Sequence, residues 1–182
     1  VHHRVKVVGR PGLAVEQQAA LAAAAPTLGP LLEAAPYLLS LAQDNVDWLV
    51  SSLADSADGA FADIVGTVET VGRDATSEEA LAPVLRIAKG RTALLAALAE
   101  TGGAWTTAQA TAALSDLADV ALDAALNLLM RQAAEKGALA IAAHQATAAN
   151  SGLAIFALGK HGGRELNYSS DIDIVAFYDP QK

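Results

Sequence analysis

A chain of 182 residues is long enough to bury a substantial core, as one large domain or two small ones. Its formal charge of −8, with 20 Asp and Glu against 12 Lys and Arg, argues against general nucleic-acid binding, which needs a basic footprint, so any nucleotide must be held locally. The absence of cysteine excludes disulfides, thiolate metal sites and a thiol nucleophile, and fits a reducing cytoplasm.

Hydrophobic residues make up 53% of the chain, mostly through alanine, and no apolar run approaches the ~18–20 residues that span a bilayer. The expectation is a soluble, cytoplasmic protein with no membrane partner. The start, Val1-His2-His3-Arg4, lacks the apolar segment and cleavage site of a secretory signal, and its two histidines have no third ligand beside them.

Residues 1–12 end in Gly9-Arg10-Pro11-Gly12 and read as an extended arm. The alanine-rich residues 13–25 predict a helix that Pro26 stops, after which Pro30 and Pro36 punctuate two short pieces, 31–35 and 37–43. Asp44 or Asn45 caps the next helix, with Val46, Leu49, Val50 and Leu53 at core spacing and Trp48 at its edge. A helix over 60–72 places Phe61, Ile64, Val65 and Val68 on one side. Thr76-Ser77-Glu78-Glu79 has the capping-box pattern and opens a longer helix, where Pro83 is tolerable only if the helix starts near Leu81. Leu81, Val84, Leu85, Ala88, Leu94, Leu95 and Leu98 form its apolar stripe, and Gly102-Gly103 ends it. Gly90 inside it costs about 1 kcal/mol relative to alanine.

A second capping box, Thr106-Thr107-Ala108-Gln109, starts a helix that runs to about Glu135, before Gly137. Leu114, Leu117, Ala121, Leu122, Ala125, Leu128 and Leu129 recur at three-four spacing, a stripe expected to be buried against neighbouring helices. A third helical piece, 138–149, leads through Asn150-Ser151-Gly152, where the composition shifts. Residues 1–150 thus read as an all-helical lead-in module without internal repeat, and residues 151–182 as the start of an α/β domain.

That last part carries the chemistry. Leu153-Ala154-Ile155-Phe156-Ala157-Leu158 is an apolar strand, and Gly159-Lys160-His161-Gly162-Gly163 is a turn whose glycines let backbone N–H groups approach an anion. After a short link, Asp171-Ile172-Asp173-Ile174 opens a second strand, where alternation sends both carboxylates to one face and both isoleucines into a core. An acidic pair at i, i+2 also arises on the solvent face of any strand. Here strand, turn and pair follow one another, with Ser169-Ser170 beside the first aspartate, which suggests phosphate on one side and a divalent metal on the other. Other phosphate motifs fail on spacing. Lys160 precedes the paired glycines instead of following them as in a P-loop, and Gly159, Gly162 and Gly163 lack the dinucleotide-binding intervals. The apolar Ile172 and Ile174 exclude an EF-hand loop.

The surviving pattern is similar to the nucleotidyltransferase superfamily typified by DNA polymerase β. More narrowly, residues 157–179 resemble the glutamine synthetase adenylyltransferase/adenylyl-removing family, and Glu165-Leu166-Asn167-Tyr168-Ser169-Ser170-Asp171-Ile172-Asp173 resembles its amino-terminal, adenylyl-removing half. Ala35-Pro36-Tyr37-Leu38, Asp47-Trp48-Leu49, Leu85-Arg86-Ile87-Ala88 and Leu117-Ala118-Asp119 look like that family's helical lead-in, so the likeness covers most of the chain. Two residues depart from it: His161 stands where the family usually has a larger apolar residue, and Gly90 lies in a segment usually richer in arginine.

The resemblance implies a mainly α protein, a helical bundle-like module followed by the first two strands of a DNA polymerase β-like nucleotidyltransferase domain. It implies removal of AMP from adenylylated glutamine synthetase by phosphorolysis and, in the full family, the reverse adenylylation. Asp171 and Asp173 would then be the catalytic Mg²⁺ ligands. Gly162, Gly163 and Ser170 would contact phosphate or nucleotide, Lys160 and Arg164 would balance charge, and Glu165 would be structural. The implied partners are glutamine synthetase, a PII-type signal protein, glutamine as effector, ATP or ADP, and phosphate. Another protein- or small-molecule-directed nucleotidyltransferase and a non-catalytic helical interaction module are the alternatives. The superfamily's third carboxylate comes from a later strand, and Asp179 stands roughly 20 Å along this one, so the chain reads as truncated and, alone, inactive.

Overall fold

The computed structural model describes residues 14–139, 141–147 and 150–179; the amino-terminal arm with His2 and His3 lies outside them. Its first element, α1 (Val15–Ala34), runs through both Pro26 and Pro30, which the sequence reading took as breaks. Each proline removes one helical donor and frees the carbonyl four residues back. Pro26, Pro30 and Ala22 are all exposed, so water can take up the carbonyls of Ala22 and Pro26, while Leu21, Leu28 and Leu32 hold the opposite side in the core. The expected pieces 31–35 and 37–43 become the end of α1 and a second helix, α2 (Pro36–Asp44), which opens with proline in its first turn.

In α3 (Val46–Ser52), Asn45 precedes the helix without capping it through its side chain. Its Nδ2 donates to the Leu41 carbonyl at 3.0 Å instead, and its Oδ1 accepts from Arg91 Nε at 3.1 Å. Ser56 caps α4 (Ala57–Asp74) by accepting from Gly59 N at 3.0 Å. Ser77 caps α5 (Glu78–Thr101) by accepting from Ala80 N. That helix begins before Leu81, so Pro83 sits inside it, on the exposed side, where the freed Glu79 carbonyl can meet water. The capping box of α6 (Thr107–Glu135) forms as expected: Gln109 N donates to Thr106 Oγ1 and Thr106 N donates to Gln109 Oε1 at 2.9 Å.

Helices α4, α5 and α6 enclose one core around Ile64, Val68, Leu95, Trp105, Leu117 and Leu128, and α1 to α3 enclose another against Leu94 of α5. Two glycines permit the closest approaches. A Cβ on Gly72 would stand 2.5 Å from that of Ala124, and one on Gly90 would stand 3.0 Å from Leu41 Cδ2. The glycine in α5 thus admits α2 at the expense of helix propensity. Of the α6 stripe, Leu117 and Leu128 are buried, Leu114 and Leu122 are half-buried, and Leu129 is 44% exposed, contrary to expectation. One residue beyond Leu128 is a turn of about 100°, which carries Leu129 off the packed face.

Gly137, at φ +72, turns the chain out of α6. Within the described part of 138–149 there is a 3-10 turn, Ala143–Gln145, in place of the expected helical piece. The chain ends in an antiparallel hairpin of β1 (Leu153–Leu158) and β2 (Asp173–Tyr178), joined through the single turn α7 (Gly159–Gly162) and residues 163–172. Strand pairing runs from Leu153 opposite Tyr178 to Leu158 opposite Asp173. Among the described residues no helix is long and apolar enough to cross a membrane.

Candidate functional site

Hairpin pairing brings the two motif halves together. Asp173 opens β2 opposite Leu158, the last residue of β1, so its carboxylate arrives at the start of α7. There it lies over the Gly159 α-carbon: a Cβ at Gly159 would stand 3.0 Å from Asp173 Oδ2, and Gly159 adopts φ +55. The positive φ favours glycine, and a Cβ would make the Asp173 carboxylate give way by a few tenths of an ångström. Asp171 precedes the strand, so it does not share the strict alternation expected of it. Ile172 and Ile174, expected in a core, are 41% and 43% exposed, because no second layer covers this end of the hairpin among the described residues. Ile172 instead joins Leu85, Leu114, Leu122 and Tyr168 along a groove of about 590 Å³ that also includes Ser170 and Asp171.

The remaining candidates differ in how free they are. The exposed Lys160 ammonium makes no ion pair among the described residues, whereas Arg164 is paired with Asp116 on α6. Arg164 also holds φ +57, a conformation uncommon for a residue with a side chain. Ser170 Oγ donates to Asn167 Oδ1 at 3.0 Å and accepts from Asn167 N at 3.1 Å, so its hydroxyl is tied into a local turn. Gly162 is required sterically, since a Cβ there would meet the Ala157 carbonyl oxygen at 2.5 Å. Gly163 N donates to the Gly159 carbonyl at 3.0 Å and is spent on closing the turn, not held out to an anion. Glu165 N closes onto the Lys160 carbonyl at 2.7 Å.

What holds this loop in place lies on α6, and the sequence reading gave those residues no part in the site. His161 is buried, with Nε2 2.8 Å from Asp119 Oδ1. Arg164 meets Asp116, and Leu166 N donates to the buried Ser115 Oγ at 3.4 Å. Leu166 is itself buried, and Tyr168 packs into both helical cores. The Tyr168 hydroxyl is pushed above its ordinary value by burial and, secondarily, by the Glu100 charge. The available signals were the family-like segment Leu117-Ala118-Asp119, to which no site role was attached, and the placement of polar Ser115, Asp116 and Asp119 around Leu117 in an otherwise Ala/Leu-rich stretch.

Among the described residues no three His, Asp or Glu side chains gather closely enough to hold a metal by themselves. Asp171 and Asp173 are both exposed, two residues apart at the start of β2, and Mg²⁺ is an ion that one or two carboxylates hold with water and substrate phosphates completing its shell.

Helical module, glycine turn and aspartate-bearing hairpin all fall inside one family match: the family model described as glutamate-ammonia ligase adenylyltransferase covers residues 15–182. The chain belongs to that family. It is 38% identical over 173 residues to the bifunctional glutamine synthetase adenylyltransferase/adenylyl-removing enzyme of Bradyrhizobium sp., covering 94% of this chain and 18% of that protein. The proteins of the same description from Xanthobacter autotrophicus and Caulobacter vibrioides are 40% and 39% identical, over 84% and 86% of this chain and 15% and 16% of their own lengths. This chain therefore spans less than a fifth of the relatives it matches. No solved structure matches it.

Proposed function

We propose that this chain forms part of an enzyme that removes AMP from adenylylated glutamine synthetase by phosphorolysis, and that in the whole protein the reverse adenylylation is also performed. The observation that carries the reading is the meeting of Asp173 with the Gly159 turn, beside Asp171 and the unpaired Lys160. Residues 1–150 serve as the helical lead-in, and residues 151–182 begin a DNA polymerase β-like nucleotidyltransferase domain. The likeness of residues 165–173 to the amino-terminal half of the family favours the removing reaction. Glutamine synthetase, a PII-type signal protein, ATP or ADP, and phosphate are the corresponding partners, in the cytoplasm.

In this reaction an oxygen of inorganic phosphate forms a bond to the α-phosphorus of the adenylyl-tyrosine as the bond to the tyrosyl oxygen breaks. ADP leaves and the phenolate takes up a proton. Asp171 and Asp173 would hold Mg²⁺, which when bound would supply neutralisation of the charge on the transferred group. Lys160 attracts the incoming phosphate, and Gly159 and Gly162 allow the turn and the strand-end carboxylate to close together without a clash.

The test is phosphorolysis of adenylylated glutamine synthetase by a full-length enzyme carrying this chain. Asp171→Asn and Asp173→Asn each keep shape and delete a charge, and each is expected to lower turnover by about a hundredfold or more in folded protein. Wild-type rates in both variants would reduce the pair to a strand surface.

A further inference from the structure

Among the described residues, the turn that carries Lys160 grips the helices through a single side chain. Residues 159–163 are three glycines, the exposed Lys160 and His161, so His161 supplies the turn's sole buried side chain. Its imidazole is 1% exposed, and Nε2 lies 2.8 Å from Asp119 Oδ1. A carboxylate only accepts, so Nε2 carries the proton of this bond. Among the described residues His161 Nδ1 is buried without a hydrogen-bond partner, which leaves the Asp119 contact as the one directional anchor of the ring there.

The other ties lie further along. The Arg164–Asp116 pair is half-exposed at both side chains, a setting in which ion pairs contribute little, and Leu166 N reaches Ser115 Oγ at a long 3.4 Å. The rotation of the glycine turn about its own axis is therefore set chiefly at His161. On the same turn, Gly159 receives the Asp173 carboxylate and Lys160 faces outward. We propose that His161 and Asp119 are a positioning pair: Asp119 on α6, through the imidazole, fixes the turn so that Lys160 and the Asp173 carboxylate address one phosphate-sized space. Neither side chain touches substrate in this assignment. The functional readout rests on the phosphorolysis reading above; the structural readout does not.

In the full-length enzyme carrying this chain, Asp119→Ala and His161→Ala are each expected to raise KM for phosphate about tenfold, with KM for the adenylylated protein unchanged. The double variant should be no worse than either single one, because the two act as a unit. His161→Gln retains an N–H donor for Asp119 and should recover KM to within about threefold of wild type. A role confined to stability would lower kcat in step with the folded fraction and leave KM for phosphate unmoved; that pattern overturns the proposal.

Should the wild-type enzyme show no phosphorolysis, the activity reading falls, and NMR of the 182-residue chain decides the pairing alone. Asp119→Asn should displace the His161 ring nitrogen resonances and the amides of Lys160 and Gly162. Asp123→Ala, an exposed carboxylate further along α6, should not. Unmoved His161, Lys160 and Gly162 resonances in Asp119→Asn overturn it.

Discussion

Single glycines show how finely the helices are fitted, because two in α4 have opposite surroundings. A Cβ on Gly66 would meet nothing within 4 Å, whereas one on Gly72 would stand 2.5 Å from Ala124 Cβ and 3.2 Å from its α-carbon. Gly66→Ala should raise stability by about 0.5–1 kcal/mol through helix propensity, while Gly72→Ala should lower it by about 1–2 kcal/mol as α4 and α6 are forced apart. Urea midpoints at equal slope decide both; equal shifts for the two would mean the helices separate freely. Tyr168 answers a different question at the same scale. Burial first, and the Glu100 charge second, raise its hydroxyl pKa in the folded protein. Its contribution to stability is therefore complete below the unfolded value near 10 and is lost as pH rises through the folded one. The thermal midpoint should fall with rising pH in that window, and Tyr168→Phe should flatten the fall.

At the level of elements, α6 was legible from its ends inward, because the Thr106–Gln109 box and Gly137 act through local hydrogen bonds and backbone conformation. The strand Leu153–Leu158 was equally plain from its apolar run. What local signals could not supply is which face a neighbour covers. Pro26 and Pro30 read as breaks, and Pro83 as tolerable only at a helix start near Leu81, yet each falls inside a helix on a solvent side where a freed carbonyl can be hydrated while leucines opposite hold the helix. The site divides the same way. Asp171, Asp173 and the glycines stand close in sequence and could be read, whereas Ser115, Asp116 and Asp119 reach the turn only through the fold. If hydration and packing do rescue α1, Pro26→Ala should stabilise the protein by about 1–2 kcal/mol, the helical gain less the lost restriction of the unfolded chain. A denaturation midpoint unchanged or lowered by Pro26→Ala would show that the proline is fitted to its position.

Across the whole molecule, packing is uneven. The helices share two cores, with Leu32, Leu49, Leu94, Leu128 and Val68 all but sealed from water. The hairpin's main neighbour among the described elements is α7, and Phe156, Leu158, Ile174, Phe177 and Tyr178 remain exposed on it. Phe156 and Phe177 stack edge to face with centroids 5.6 Å apart, a cross-strand contact inside the hairpin that adds nothing to its hold on the helices. That hold comes from His161, Arg164, Leu166 and Tyr168. A two-stranded hairpin is marginal in water without a packed face, so it should open locally while the helices stay folded. Native-state hydrogen exchange on the 182-residue chain should find the amides of β1 and β2 exchanging at least about a hundredfold faster than those of Leu94 and Leu117, which open only near global unfolding. Leu166→Ala removes the buried anchor between them and should speed hairpin exchange further while leaving the α5 amides near their original rates. Hairpin and helix amides exchanging at one rate, and slowed or quickened together by that substitution, would show a single cooperative unit and refute the division.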